Sequence, residues 1–146
     1  QYGVPSINLD YFEIDPDVSH LGPDFLTLNA RDLTRAFTGR RAPVKAVLLD
    51  QSSVAGFGNM CVDEVLWHAG VDPARPAGSV EGPELALIAG VARRRLPAML
   101  RRGGSHTGTI DPAVRASLPS CPRDGSPLRR SSIGGRTTVW CPAHQR

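Results

Sequence analysis

Lysine is almost missing from this sequence. Of its 17 basic residues only Lys45 is a lysine, and all the others are arginine. Cysteine is scarce as well. Three are present, one of them (Cys61) inside a helical pattern, which excludes a secreted disulfide framework and fits a reducing, cytoplasmic setting. No apolar run is long enough to span a membrane. The start, Gln1-Tyr2-Gly3-Val4-Pro5, has neither a basic nor an apolar leader segment, so no secretory signal is expected. It also has no initiator methionine, which leads to the expectation of a piece of something longer. There is no Ser-His-Asp grouping, no phosphate-binding P-loop and no acid pair at a telling spacing.

Acid is missing from one half only. Residues 1–90 hold six basic and twelve acidic residues, whereas residues 91–146 hold eleven arginines and two aspartates. The net charge of +3 conceals this division. A basic segment so poor in acid points to a polyanion, and nucleic acid is the polyanion that suits it.

The 146 residues are enough for one fair core and a stapled appendage. The appendage is expected at the end, where Cys121-Pro-Arg-Asp124 and Cys141-Pro-Ala-His144 form two ligand pairs, each spaced i, i+3. Tight turns at that spacing can aim four side chains at one tetrahedral zinc ion. Asp124 and His144 stand where a four-thiolate ribbon has sulfur, and the plainer alternative is a pair of ordinary thiols or a disulfide in a loop. Between the pairs lies a basic segment with Arg129, Arg130 and Arg136, which reads as a β-hairpin turning at Gly134-Gly135.

Upstream the pattern is helical. Residues 1–23 read as linker with a short strand at Leu9–Ile14. Asn29 is expected to cap a helix over 30–38, and Pro43 to open another over Val44–Asp50 at its first position. A glycine-punctuated turn at 53–59 precedes a helix over 60–69, ended by Gly70. Ser79 is expected to start the longest helix, about 80–101, with Leu85, Ile88, Ala92, Leu96, Met99 and Leu100 as its apolar stripe and a kink at Pro97. Arg93, Arg94, Arg95, Arg101 and Arg102 fall on its polar face. Asp111-Pro112 caps a short helix to about Leu118.

Two features carry further chemistry. Gly56-Phe57-Gly58-Asn59 frees the backbone to approach a bulky group, with helix N–H groups facing an anion and Asn59 either capping or donating its amide; plain capping is the alternative. Lys45 reads as a phosphate contact, a desolvated catalytic amine or an ordinary surface lysine. His68 reads as surface or satisfied core, Trp67 and Trp140 as packing residues, and Cys61 as a small buried hydrophobe.

Several stretches together resemble one family. They are His20-Leu-Gly-Pro-Asp24, Val44-Lys45-Ala-Val-Leu-Leu-Asp-Gln51, Val54-Ala-Gly-Phe-Gly-Asn59, Asp63-Glu64, Pro73-Ala-Arg-Pro76, and Gly134-Gly-Arg136-Thr-Thr-Val-Trp-Cys141 with Gln145. In that order they look like the formamidopyrimidine-DNA glycosylase / endonuclease VIII family of base-excision repair enzymes. The resemblance implies a mainly α fold: a helix-two-turn-helix domain over 24–118, then a zinc-stapled β-hairpin over 119–146, with 1–23 as the tail of a preceding domain. It implies that Lys45, Gly56, Gly58, Asn59 and Arg136 meet the backbone of double-stranded DNA, damaged or abasic, and that Cys121, Asp124, Cys141 and His144 hold zinc. A phosphate beside Lys45 would raise its pKa.

The departures from the family shape the functional expectation. The family's N-terminal proline and β-sandwich domain do not occur in these residues, and the stretch from Gly104 to Cys121 is too short for the loop that covers an extruded base. The expectation is therefore a DNA-binding module without glycosylase activity of its own. The alternatives are a fragment of an active glycosylase and abasic-site lyase, or a protein-interaction module with a structural finger.

Overall fold

A computed structural model of the chain describes residues 25, 27–54, 57–118 and 120–146. The tail 1–23, the strand expected at Leu9–Ile14 and Gly56 lie outside the described residues. Within them, five α-helices precede a two-stranded hairpin: α1 (Ala30–Phe37), α2 (Val44–Leu49), α3 (Asn59–Ala69), α4 (Gly82–Arg101), α5 (Pro112–Ser117), then β1 (Arg129–Ile133) and β2 (Arg136–Trp140).

Local chemistry explains most of the boundaries. Asn29 caps α1 by accepting from the Asp32 N–H at 2.9 Å, and Asp32 accepts in return from the Asn29 N–H at 3.2 Å. Gly70 ends α3 in the left-handed region. Asp111 caps α5 through the Val114 N–H at 2.9 Å.

Two expected helix starts are corrected. Pro43 is not the first residue of α2 but its extended N-cap, bridged to Pro76. The leading N–H groups of Val44 and Lys45 instead reach the carbonyls of Arg75 and Pro73, at 2.8 and 3.1 Å. Ser79 does not start α4. It closes a 3-10 turn over Ala77–Ser79, where its hydroxyl donates to the Pro76 carbonyl and accepts from Arg75. Glu81 is the N-cap of α4, with its N–H donating to Glu84.

Helix α4 runs unbroken through Pro97. Leu85, Ile88, Ala92, Leu96 and Met99 are buried, packed with α1, α2 and α3 around Leu33, Phe37, Val44, Leu48, Val62 and Leu66. Leu100 leaves the expected stripe and is 37% exposed, because it sits a further 100° round the helix from Met99. Arg93, Arg94, Arg101 and Arg102 are exposed, but Arg95 turns inward to Glu64 and Thr109.

The hairpin is antiparallel, with Ile133 paired to Arg136 across the turn. Gly134 and Gly135 both have positive φ, 61° and 75°, as a tight two-residue turn between twisted strands requires. Its small core is shared: Leu128, Val139, Cys121 and Cys141 pack with Trp67 of α3 and Ile110, flanked by Val114 and Leu118. A segment of this size cannot build a core alone, and here the helices complete it.

Glu64, in the middle of α3, fastens the connection after α4. Its buried carboxylate accepts from the N–H groups of Thr109 (3.0 Å) and Ile110 (2.9 Å), from His68 (2.8 Å) and from Arg95 (3.2 Å). Burial alone would raise its pKa, but the bonds from His68, Ile110 and Thr109 outweigh it and hold the carboxyl at about 2. A folded-state pKa below the ordinary value of 4.5 stabilises the fold fully above about pH 4.5, and that contribution fades as pH falls towards 2. Glu64→Gln is therefore expected to lower unfolding stability by about 3 kcal/mol at pH 7 and by roughly half as much at pH 3. Urea unfolding of both proteins across that range checks it: a gap independent of pH would show that the charge on Glu64 is not what holds the connection.

Candidate nucleic-acid interface and metal site

Helix α3 presents Asn59, Asp63 and Trp67 at steps of four residues, which places them along one face. All three reach the hairpin and its flanking turns. Asn59 Nδ2 donates to the Thr137 carbonyl at 3.0 Å. Asp63 Oδ2 accepts from the Val139 N–H at 3.1 Å. Trp67 Nε1 donates to Cys121 Sγ at 3.3 Å.

Asp63 is the centre of this contact. Its side chain is fully buried between Lys45 Nζ at 2.8 Å and Arg115 at 2.5 Å. Lys45 and Arg115 also donate to the Thr137 carbonyl, at 3.0 and 2.9 Å, so that one oxygen receives three side chains. Lys45 does not lie where a phosphate contact needs it. Its side chain has no exposed surface, because it runs beneath β2 to Asp63. Within the protein, burial pushes its amine down to about 8, only partly offset by Asp63.

Of the other expected DNA contacts, Arg136 faces outward and Gly58 borders open space, whereas Asn59 turns to the hairpin. Arg136 is exposed where β2 leaves the turn, and Gly134 beside it lies against Ala46 of α2. Gly58 is the extended N-cap of α3 with negative φ, and a Cβ there would meet nothing within 4 Å. Neither the turn nor packing among the described residues calls for glycine at that position. Asn59 is the first helical residue rather than the cap, and its Oδ1 is enclosed with no hydrogen-bond partner among the described residues. Gly56 lies outside the described residues.

At the far end of the same helix face, Cys121, Asp124, Cys141 and His144 converge, their donor atoms all within 4.8 Å of one another. Each pair sits on its own turn. The Gly125 N–H closes one on the Cys121 carbonyl at 2.8 Å, and the Gln145 N–H closes the other on the Cys141 carbonyl at 3.0 Å. Cys121 Sγ and His144 Nδ1 are 3.7 Å apart. A tetrahedral ion with metal–sulfur and metal–nitrogen bonds of about 2.3 and 2.0 Å places such donors roughly 3.6 Å apart. Two sulfurs, an imidazole nitrogen and a carboxylate at that spacing fit a four-coordinate zinc ion. Burial, together with Arg123, lowers the pKa of His144 and so favours the neutral ring that a metal binds. The Ser126 hydroxyl and N–H lower the pKa of Asp124.

Asp63, Glu64 and Arg115 escaped sequence reasoning as the charges that join the elements, and Arg95, expected on the arginine face, pairs with Glu64 instead. The available signal was two adjacent acids inside an otherwise apolar helical run, Val62 to Leu66, since buried carboxylates need partners.

Helices joined through two turns, with a metal-type finger clamped against the second, define a helix-two-turn-helix finger protein. Residues 21–111 match the family model described as the formamidopyrimidine-DNA glycosylase H2TH domain. The chain is 39% identical over 149 residues to the formamidopyrimidine-DNA glycosylase of Paracoccus denitrificans, covering 90% of this chain and 53% of that protein. It is 39% identical over 129 residues to that of Moorella thermoacetica, covering 87% and 44%. Among solved structures it is similar to the Lactococcus lactis glycosylase bound non-covalently to DNA containing an abasic site, with a TM-score of 0.76, 26% identity, and coverage of 95% of this chain and 54% of that one. The chain belongs to the formamidopyrimidine-DNA glycosylase family. It spans about half the length of the curated relatives it matches.

The buried Asp63 yields a prediction for the clamp. Asp63→Ala leaves Lys45 and Arg115 without their anion and is expected to lower stability by about 3–5 kcal/mol. The Val139 amide should then exchange its hydrogen much faster than in the parent. Denaturant titration and hydrogen exchange measure both, and a variant with parental stability and Val139 protection would remove Asp63 from its central place.

Proposed function

We propose that these residues form the DNA-gripping part of a base-excision glycosylase, holding duplex backbone phosphates with little sequence preference. The observation that carries this reading is the exposed Arg136 at the hairpin turn, whose neighbour Thr137 is tied by its carbonyl to Asn59, Lys45 and Arg115. A guanidinium held by a rigid strand beside a helix N-terminus with open space at Gly58 is suited to a phosphate. Arg136 and Asn59 make the contacts, while Lys45 works from below as support for the strand. Its burial and ion pair also close the route by which its amine would attack a sugar. The relatives' activity on damaged DNA is proposed for a whole protein in which these residues supply grip and the chemistry is supplied elsewhere.

Titration of intact and abasic-analogue duplexes over a salt series tests this. Arg136→Ala and Asn59→Ala should each weaken binding by roughly 1–3 kcal/mol. Arg136→Ala should also reduce the salt slope by about one unit, and Asn59→Ala should leave it unchanged. Lys45→Met should lower thermal stability without changing the slope, and borohydride should trap no adduct at Lys45. Parental binding by the Arg136 and Asn59 variants would place DNA on another surface.

We propose zinc as the metal, held by Cys121, Cys141, His144 and Asp124. Such an ion would staple the two turns, so its binding energy would be folding energy for the hairpin. Protein purified without added zinc should contain about one equivalent, as a saturating structural site requires. Less than about a tenth of an equivalent with the hairpin intact would exclude a structural metal.

A further inference from the structure

We propose that Trp67 is a positioning residue of the metal centre, with its indole N–H acting as a hydrogen-bond donor to the Cys121 ligand. This rests on the metal-binding part of the proposed function and adds to it a residue from outside the two ligand pairs. Trp67 is 4% exposed and touches the site in three ways. Its Nε1–H donates to Cys121 Sγ at 3.3 Å. Its carbonyl accepts from His144 Nε2 at 3.4 Å, on the opposite side of the ring from the Nδ1 that faces Cys121. Its ring stands edge-on to His144, with centroids 5.5 Å apart. One residue of α3 thus orients a ligand from each of the two turns.

The chemistry favours the metal-bound form. A metal-bound cysteine is an anionic thiolate, a stronger hydrogen-bond acceptor than the free thiol. An N–H aimed at that sulfur therefore stabilises the bound state more than the empty one. The Arg123 guanidinium lies 4.5 Å from the indole centroid, and its positive charge over the ring makes the N–H a better donor. The His144 bond fixes the tautomer that leaves Nδ1 free to ligate. With only two sulfurs in the ligand set, Cys121 supplies half of the site's thiolate binding, so a bond to it carries more weight than in a four-thiolate finger.

Trp67→Phe keeps an aromatic ring and removes the N–H. Zinc affinity, measured by chelator competition, should fall about tenfold. In cobalt-loaded protein the tetrahedral d–d bands should persist. The sulfur-to-cobalt charge-transfer band should move to longer wavelength, because the sulfur lone pairs lose the donor that lowers their energy. Packing loss that leaves the ligand geometry intact, as persisting d–d bands would show, does not move that band. Should Trp67→Phe fail to fold, Trp140→Phe isolates the emission of Trp67, which should shift when zinc is added as its sulfur partner becomes a thiolate. Zinc affinity within about twofold of the parent with an unmoved band overturns the proposal. So does a Trp67 emission indifferent to zinc. A parent chain that takes up no cobalt overturns the metal reading along with it.

Discussion

The buried carboxylate of Asp63 is the constraint on which the arrangement depends. An isolated anion in a protein interior is strongly disfavoured, and Asp63 becomes tolerable only with Lys45, Arg115 and the Val139 N–H in place. Those partners come from α2, α5 and β2. Satisfying one charge therefore fixes where three elements meet. The Thr137 carbonyl completes the arrangement by drawing Lys45, Arg115 and Asn59 to the strand that carries Arg136. The exposed guanidinium inherits its position from a buried carboxylate and the cations that answer it.

Glu64, the next residue, faces elsewhere and does similar work. It collects the connection after α4 as Asp63 collects the hairpin. Two neighbouring acids on one helix thus secure two separate attachments. Trp67, one turn further on, adds a third at the metal-type turns. The hairpin and the helical core share side chains along this seam, which is how so short a finger is held.

Features with a local cause were legible in the sequence. Asn29, Gly70, Asp111-Pro112 and Gly134-Gly135 each act within a few residues, and the elements they bound are present. The four metal-type ligands were legible because turn spacing announces them. The start of α4 was misplaced by a rival local bond, in which Ser79 serves the preceding turn. Lys45 was misread for a different reason. Its partners lie 18 and 92 residues away, and no local pattern shows that a lysine in a short amphipathic helix will be covered by a distant strand. Arg115 pairs with Asp63 across 52 residues and was equally hidden. Long-range ion pairs are where this chain outruns its own sequence pattern.

Gly108 sits in the connection that Glu64 holds. A Cβ at that position would lie 2.6 Å from Glu64 Oε1 and 3.0 Å from the Met99 terminal methyl. A side chain at 108 would therefore press on the carboxylate end of Glu64, which would have to give way by loosening its bonds to the Thr109 and Ile110 N–H groups. The bare backbone at 108 is thus part of how the glutamate reaches the connection it holds.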